Sequence, residues 1–478
     1  MQVSNDLAVD IPRQAEMFKA VIRPSQQEAI ERIAKNTGTA LFMDCGTGKT
    51  ACVLSAIKQG IIPRPVILVA PLRVLASSWP GEIARWADFS DLKYTVVHGN
   101  NRESGFFRDA DIYGINPEGL GALLRSPAQM ERCRAMNVGT IVMDESTAFK
   151  NPKATRTRNM AHLLAHLAPR KRVILTGTPN PRSMLDLWAQ YFMLDRGDRL
   201  HCNFLVFRHR NFVYNYYAGG YDLRTGAREK LTKTLADITH RVALEDVVEN
   251  IPDTPVKTAL SVPLVGASRQ LYAQLESDLK ASLVDGDVIA ANSKYMACMR
   301  AASGHYASSD TGETRRLHEA KTDALERIVA ECGLPVLVAC QFLSDVESVK
   351  KRFKCPDALV GKTKPEASAD IVRRWNLGDI PVLPIQTALS HGLNLQGVGA
   401  AVLVFYNVPD NLEHYEQMIA RLHRSGIQQR VVVYHLLATG TIDEACMRRT
   451  KRKAGESRRF LSALKEYYNL PMELALDG

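Results

Sequence analysis

Thr39-Ala40-Leu41-Phe42-Met43, Pro65-Val66-Ile67-Leu68-Val69-Ala70, Thr140-Ile141-Val142-Met143 and Arg172-Val173-Ile174-Leu175 are short strings with almost no polar residue. A strand with one face in water alternates apolar and polar side chains, so strings of this kind read as strands buried on both faces. Burial on both faces follows when helices flank a parallel sheet, and helical stretches do separate these strings. The same type of string returns in Pro335-Val336-Leu337-Val338-Ala339, Ala400-Ala401-Val402-Leu403-Val404-Phe405 and Arg430-Val431-Val432-Val433-Tyr434. The chain therefore reads as α/β, with two parallel sheets in tandem. A long helical and loop-rich stretch, about 180 to 330, lies between the two sets of strings. The turn Asn250-Ile251-Pro252-Asp253-Thr254-Pro255 is the best internal boundary. It sets an N-terminal domain over about 12–250 and a C-terminal domain over about 256–460. A helical insertion is expected at roughly 256–330.

Bulk properties narrow the class of function. A chain of 478 residues can bury more than one core, and 46% hydrophobic with 23% charged residues is ordinary for a globular protein. No apolar run approaches the roughly 18 residues needed to cross a bilayer. The N-terminal residues lack the basic-then-apolar order of a signal peptide. A cytoplasmic protein of a bacterium or a phage-infected host, without a membrane partner, is the expectation. Nine scattered cysteines, none in a C-x-x-C pair, read as reduced thiols rather than a zinc ribbon. The net charge of +10 suits a polyanionic partner such as nucleic acid.

The segment Phe42-Met43-Asp44-Cys45-Gly46-Thr47-Gly48-Lys49-Thr50 follows a strand and opens a helix. Glycines 46 and 48 let backbone N–H groups curl around phosphate oxygens, and a helix N-terminus adds positive potential. Thr47 lies between them. Lys49 would reach the β- and γ-phosphates of ATP, and the Thr50 hydroxyl would ligate Mg²⁺. The strict G-x-x-x-x-G-K-[ST] pattern is not met, since Met43 stands at its first glycine. Downstream, Thr140-Ile141-Val142-Met143-Asp144-Glu145 is a buried strand ending in two carboxylates. Asp144 can hold the same Mg²⁺ and Glu145 can orient and activate the attacking water.

From these residues onward the motifs resemble, in kind and order, those of superfamily 2 helicases, and most closely the Swi/Snf-type ATPases. The resemblance runs from about Arg23 to about Glu444 and implies two RecA-like domains. Arg23-Pro24-Ser25-Gln26 resembles R-P-Y-Q, whose glutamine contacts adenine. Asp44 to Thr50 resembles D-x-G-x-G-K-T, which accounts for Met43. Ala70-Pro71-Leu72 with Trp79, Glu82 and Trp86 resembles the next strand and helix, which touch the nucleic-acid backbone. Asp144-Glu145-Ser146-Thr147 stands for D-E-A-H, with threonine replacing histidine, and Lys150-Asn151-Pro152 repeats K-N-P. Leu175-Thr176-Gly177-Thr178-Pro179 matches L-T-G-T-P, and Glu245-Asp246-Val247 before Ile251-Pro252 resembles E-D-V…L-P.

In the second half, Val336 to Phe342 resembles the strand ending in S-Q-F, with Cys340 replacing serine. Gly392-Leu393-Asn394-Leu395 matches G-L-N-L, and Gln417 to Gly426 is similar to Q-x-x-G-R-x-H-R-x-G. Gln417 is thereby implicated in the nucleotide site. Arg421 and Arg424, three apart, would share one helical face and point at one site. Guanidinium groups there would stabilise charge building on the γ-phosphate.

The resulting expectation is a DNA-dependent ATPase that translocates on duplex DNA, using ATP and Mg²⁺ in one site between the two domains. Targeting protein partners are expected to supplement so compact a motor. An RNA or single-strand DNA helicase with the same engine is the first alternative, and a non-cycling nucleic-acid-binding scaffold the second. Arg73, Thr176, Ser390 and His391 are the candidates for nucleic-acid contact. The aromatic and basic stretch from Phe207 to Tyr214 reads as a local mini-core, with a stacking surface as the alternative. Arg448 to Lys453 is either a phosphate grip or a solvated helix face.

Overall fold

The computed structural model describes residues 22–179, 183–215, 220–247, 255–284, 288–307, 314–389, 393, 395, 397, 401–409, 411–423 and 430–469. By backbone contacts the chain divides into two compact units, one of residues up to 249 joined by those from 455 onward, the other of residues 250–454.

Unit 1 is built on seven strands: β1 (Gly38–Met43), β2 (Val66–Val69), β3 (Tyr94–Val96), β4 (Ile112–Ile115), β5 (Thr140–Asp144), β6 (Lys171–Thr176) and β9 (Thr239–Val242). Their order is β3-β4-β2-β5-β6-β1-β9, and every neighbouring pair is parallel. A separate antiparallel ribbon, β7 (Phe212–Asn215) and β8 (Gly220–Leu223), follows the helix Phe204–Asn211. The apolar strings divide by parity between two cores, as a strand's period of two requires. Ala40, Phe42, Ile141 and Met143 enter one core, while Leu41, Met43, Val142 and Val173 enter the other. Both faces of the sheet are thus dry, which is why the strings lack polar residues.

Unit 2 repeats this plan with β10 (Val256–Val262), β13 (Val336–Cys340), β14 (Val382–Gln386), β15 (Val402–Phe405) and β16 (Val432–Ala438), in the all-parallel order β10-β16-β15-β13-β14. Leu337, Ala339, Leu403 and Phe405 face one core, and Val336, Val338, Val402 and Val404 the other. Proline 384 sits within β14, which is tolerated because β14 is an edge strand.

The expected helical insertion at 256–330 needs correction at its start. Residues 256–262 are β10, an edge strand paired with β16. Its alternating half-buried and exposed residues carry no continuous apolar string, so nothing in the local pattern marked it. The insertion proper comprises the helices Gly266–Val284 and Val288–Ser303 and a small ribbon, β11 (His305–Ala307) with β12 (Thr314–Arg316). The helix Ala320–Cys332 then leads into β13. Among the described residues no helix is long and apolar enough to cross a membrane.

Candidate active site

Parallel strands deliver their C-terminal ends to one edge, and in unit 1 three adjacent ends carry the candidate residues. Phe42 pairs with Thr176, and Leu175 pairs with Asp144, so β1, β6 and β5 finish in register. The loop after β1 and the carboxylates after β5 are therefore two strands apart, about 10 Å at ordinary strand spacing.

The loop after β1 is shaped by its glycines. Gly46 (φ 85°) and Gly48 (φ 91°) both adopt left-handed backbone, which turns successive N–H groups inward before the helix Lys49–Lys58 begins. At Gly48 there is a second requirement. A Cβ there would lie 2.1 Å from Gln26 Nε2. Gln26 is buried against the loop: its Nε2 donates to the Thr47 carbonyl (3.1 Å) and its Oε1 accepts from the Arg23 N–H (2.9 Å). The glutamine expected at adenine thus also clamps the phosphate loop, with Arg23 supplying the N–H that orients it. Thr47 Oγ1 closes the turn on the Asp44 carbonyl (2.7 Å). Lys49 reaches back along the loop, and Nζ donates to the carbonyls of Met43 (2.6 Å) and Asp44 (3.1 Å). Thr50 follows it in the first helical turn, half-buried.

Asp44 fixes the base of this loop through a partner that the sequence reading missed. Arg241 on β9 donates Nη1 to Asp44 Oδ1 (2.6 Å) and to the carbonyls of Phe42 (3.1 Å) and Val242 (2.8 Å), while Leu244 N–H donates to Asp44 Oδ2 (3.1 Å). An arginine inside a strand of a covered sheet was the available signal, since such a charge is kept only with a partner.

At the end of β5, Asp144 is 7% exposed. Oδ2 accepts from Trp79 Nε1 (2.9 Å), and Oδ1 accepts from the Glu145 N–H (3.0 Å). Burial first, then the neighbouring Glu145 charge, lifts its carboxyl to about 6, while the Trp79 bond and Lys49 oppose the rise. Trp79 is fully buried at the start of a helix reached from β2 through the π-helical turn Val74–Ser78. Such turns often mark sites where a side chain must be re-aimed. Glu145 itself adopts left-handed backbone (φ 52°, ψ 56°), unusual for a residue with a Cβ, and so turns the chain off the strand. Ser146 Oγ then donates to Gln190 Oε1 (2.7 Å), whose Nε2 donates to the carbonyls of Pro179 (2.6 Å) and Asp186 (2.8 Å). Gln190 hence ties the acidic loop to the loop after β6.

The expected nucleic-acid contacts fare unevenly. Thr176 is 0% exposed, and its Oγ1 accepts from the Thr178 N–H (3.1 Å). This bond ties the start of the loop after β6 to itself. Arg73 lies half-buried where β2 gives onto the π turn, and burial holds its guanidinium below its usual value. Ser390 and His391 lie outside the described residues.

In unit 2, Gln417 and Arg421 are buried on the helix Leu412–Leu422, and Arg421 Nη1 donates to the Leu393 carbonyl (2.7 Å). The expectation that Arg421 and Arg424 share a helical face reaches past the described residues. The helix ends at Leu422, and His423 has left helical dihedrals (φ −92°, ψ 89°). Arg424 lies outside the described residues.

Comparisons with known proteins bear on the family. Residues 22–310 match the SNF2-related domain, and residues 320–426 match the helicase conserved C-terminal domain. The phage protein p41 of Acyrthosiphon pisum secondary endosymbiont phage 1 is 30% identical over 93% of this chain and 98% of its own length. The TATA-binding protein-associated factor mot1 of Aspergillus fumigatus is 24% identical over 89% of this chain, which spans only 26% of that larger protein. Among solved structures, the SWI2/SNF2 ATPase core of Sulfolobus solfataricus in complex with dsDNA is 21% identical, covering 96% of this chain and 98% of that one at a TM-score of 0.43.

Proposed function

The chain belongs to the SNF2-related family and is a nucleic-acid-dependent ATPase, and from that premise we propose that it is a motor that translocates on duplex DNA. The observation that carries the ATPase half is the edge of the unit 1 sheet, where a phosphate loop and an acidic pair end two strands apart. The residues present fit a magnesium nucleotide. Two left-handed glycines and a helix N-terminus suit phosphate oxygens, and Asp144 is held in place by Trp79 and the Glu145 N–H.

In this reading Lys49 leaves its carbonyl partners for the β- and γ-phosphates, and the loop N–H groups hold the remaining oxygens. Thr50 and Asp144 would hold Mg²⁺, which neutralises charge on those phosphates. Glu145, turned off its strand, orients the attacking water and takes its proton. From unit 2, Arg424 is assigned to the γ-phosphate, and Arg421, bonded to Leu393, to positioning the loop beside it. Nucleotide binding and hydrolysis would then shift populations between states that differ in nucleic-acid contact.

Phosphate release measured with duplex DNA, single-stranded DNA and RNA tests the substrate. Stimulation by duplex DNA above the other two is expected. Preference for RNA or single strands would replace the duplex assignment, and no turnover with any of them would leave a scaffold.

A further inference from the structure

The aromatic and basic stretch after residue 203 is only half consumed by the core. Phe207 and Phe212 are buried, their rings 5.7 Å apart, and Phe204 packs edge-on to Trp188 at 5.4 Å. The ribbon β7–β8 then carries the aromatic series outward. Tyr214 pairs with Tyr221 across the ribbon, with ring centroids 5.1 Å apart, and the Arg208 guanidinium lies 4.5 Å from the Tyr221 ring. Val213 is 48% and Tyr214 42% exposed.

Charge on this surface is one-sided. Residues 204–233 hold six arginines and lysines against two acids, Asp222 and Glu229. Among the described residues, no ion pair involves Arg208, Arg210 or Arg224, and Arg224 spends one N–H on the His209 carbonyl (3.2 Å). Some exposed cations elsewhere in unit 1 are paired, as Lys58 with Asp91 (2.6 Å) and Arg64 with Asp111 (2.9 Å). Asp222 is occupied by the Asn215 amide (2.6 Å). What remains is a set of guanidinium donors beside exposed tyrosine, rich in donors and poor in acceptors. Phosphate is the acceptor-only partner that such a surface fits.

We propose that the β7–β8 ribbon with Arg210 and Arg224 is a second, sequence-independent contact to the backbone of duplex DNA, with both guanidiniums and the Tyr214 hydroxyl donating to phosphates. It rests on the motor reading above, and no motif of the ATPase engine supplies it. The full-length protein with Arg210→Ala and Arg224→Ala together, and separately with Tyr214→Phe and Tyr214→Ala, is titrated against labelled duplex by anisotropy over a salt series. Two lost phosphate contacts should lower the slope of log K against log salt by about 2. Tyr214→Phe should weaken binding as much as Tyr214→Ala, while turnover without DNA stays at the wild-type level. Unchanged slope and affinity in variants of a protein whose ATPase responds to duplex would overturn the contact. A defect confined to single strands, with Tyr214→Phe unaffected, would make the ribbon a base-stacking platform and overturn the duplex assignment. If the wild type itself neither binds nor responds to duplex, the motor reading has failed, and this contact with it.

Discussion

Gln26 and Gly48 show how one side chain's absence makes room for another's work. With Gly48 at φ 91° and Gln26 Nε2 in the space a Cβ would occupy, Gly48→Ala displaces the clamp on Thr47 and strains the turn by about 1–2 kcal/mol. A loss of roughly tenfold in nucleotide affinity is expected, since a tenfold change corresponds to about 1.4 kcal/mol. Calorimetric titration checks it. Adding Gln26→Ala relieves the clash but removes the clamp itself and leaves the strain, so affinity should not recover. Lys49→Ala should abolish phosphate release, because Lys49 is the cation set against the loop's own carbonyls, whereas Arg241 is tied to the Asp44 carboxylate. Glycines 46 and 48 and Lys49 were legible as a phosphate loop from their setting between a strand and a helix, although the strict spacing pattern lacks its first glycine. That Gln26 holds the loop's backbone was not, since twenty-one residues separate it from Thr47 and only the fold brings them together.

The element that does most to hold this site in shape is β9, which carried no long apolar string. His240 on β9 bonds the Ser25 carbonyl (3.0 Å), tying the strand to the start of the helix that bears Gln26. Burial pushes its imidazole down to about 4. Unfolded, it would titrate near 6.5, so the unfolded chain binds a proton between these values that the folded one refuses. Its contribution is therefore complete above about pH 6.5 and declines as the pH falls toward 4, by at most about 3 kcal/mol. Melting temperature should fall over that window, and His240→Gln should flatten the fall. A variant with the wild-type pH profile would show that His240 is not the group responsible. Arg241→Met on the same strand leaves Asp44 without its cation. A stability loss of about 2 kcal/mol is expected, discounted from a fully buried pair because Asp44 is one-third exposed, with weaker nucleotide binding alongside.

Across the whole molecule, two parallel sheets recur, one in each unit. Unit 1 has the phosphate loop and the acidic pair, while the arginine string lies in unit 2. Arg424→Ala is expected to reduce hydrolysis by about 10³-fold or more while nucleotide still binds, as removal of an arginine finger does. Single-turnover phosphate release beside equilibrium nucleotide binding separates the two effects. Normal turnover would show that unit 2 supplies no such group.

The sequence by itself determined the α/β class, because a strand dry on both faces leaves a continuous apolar string, as at β1, β5, β13 and β15. It also determined the phosphate loop and the acidic pair, whose chemistry depends on residues adjacent in the chain. Tertiary structure alone decided the rest. Register aligns Asp144 with Leu175 and Phe42 with Thr176, which makes one edge of three distant segments and buries the Thr176 hydroxyl. It also brings Trp79 to Asp144 and Arg241 to Asp44. Such pairings are set by which strands lie side by side, and local periodicity, which reports only what is wet and what is dry, contains no record of that order.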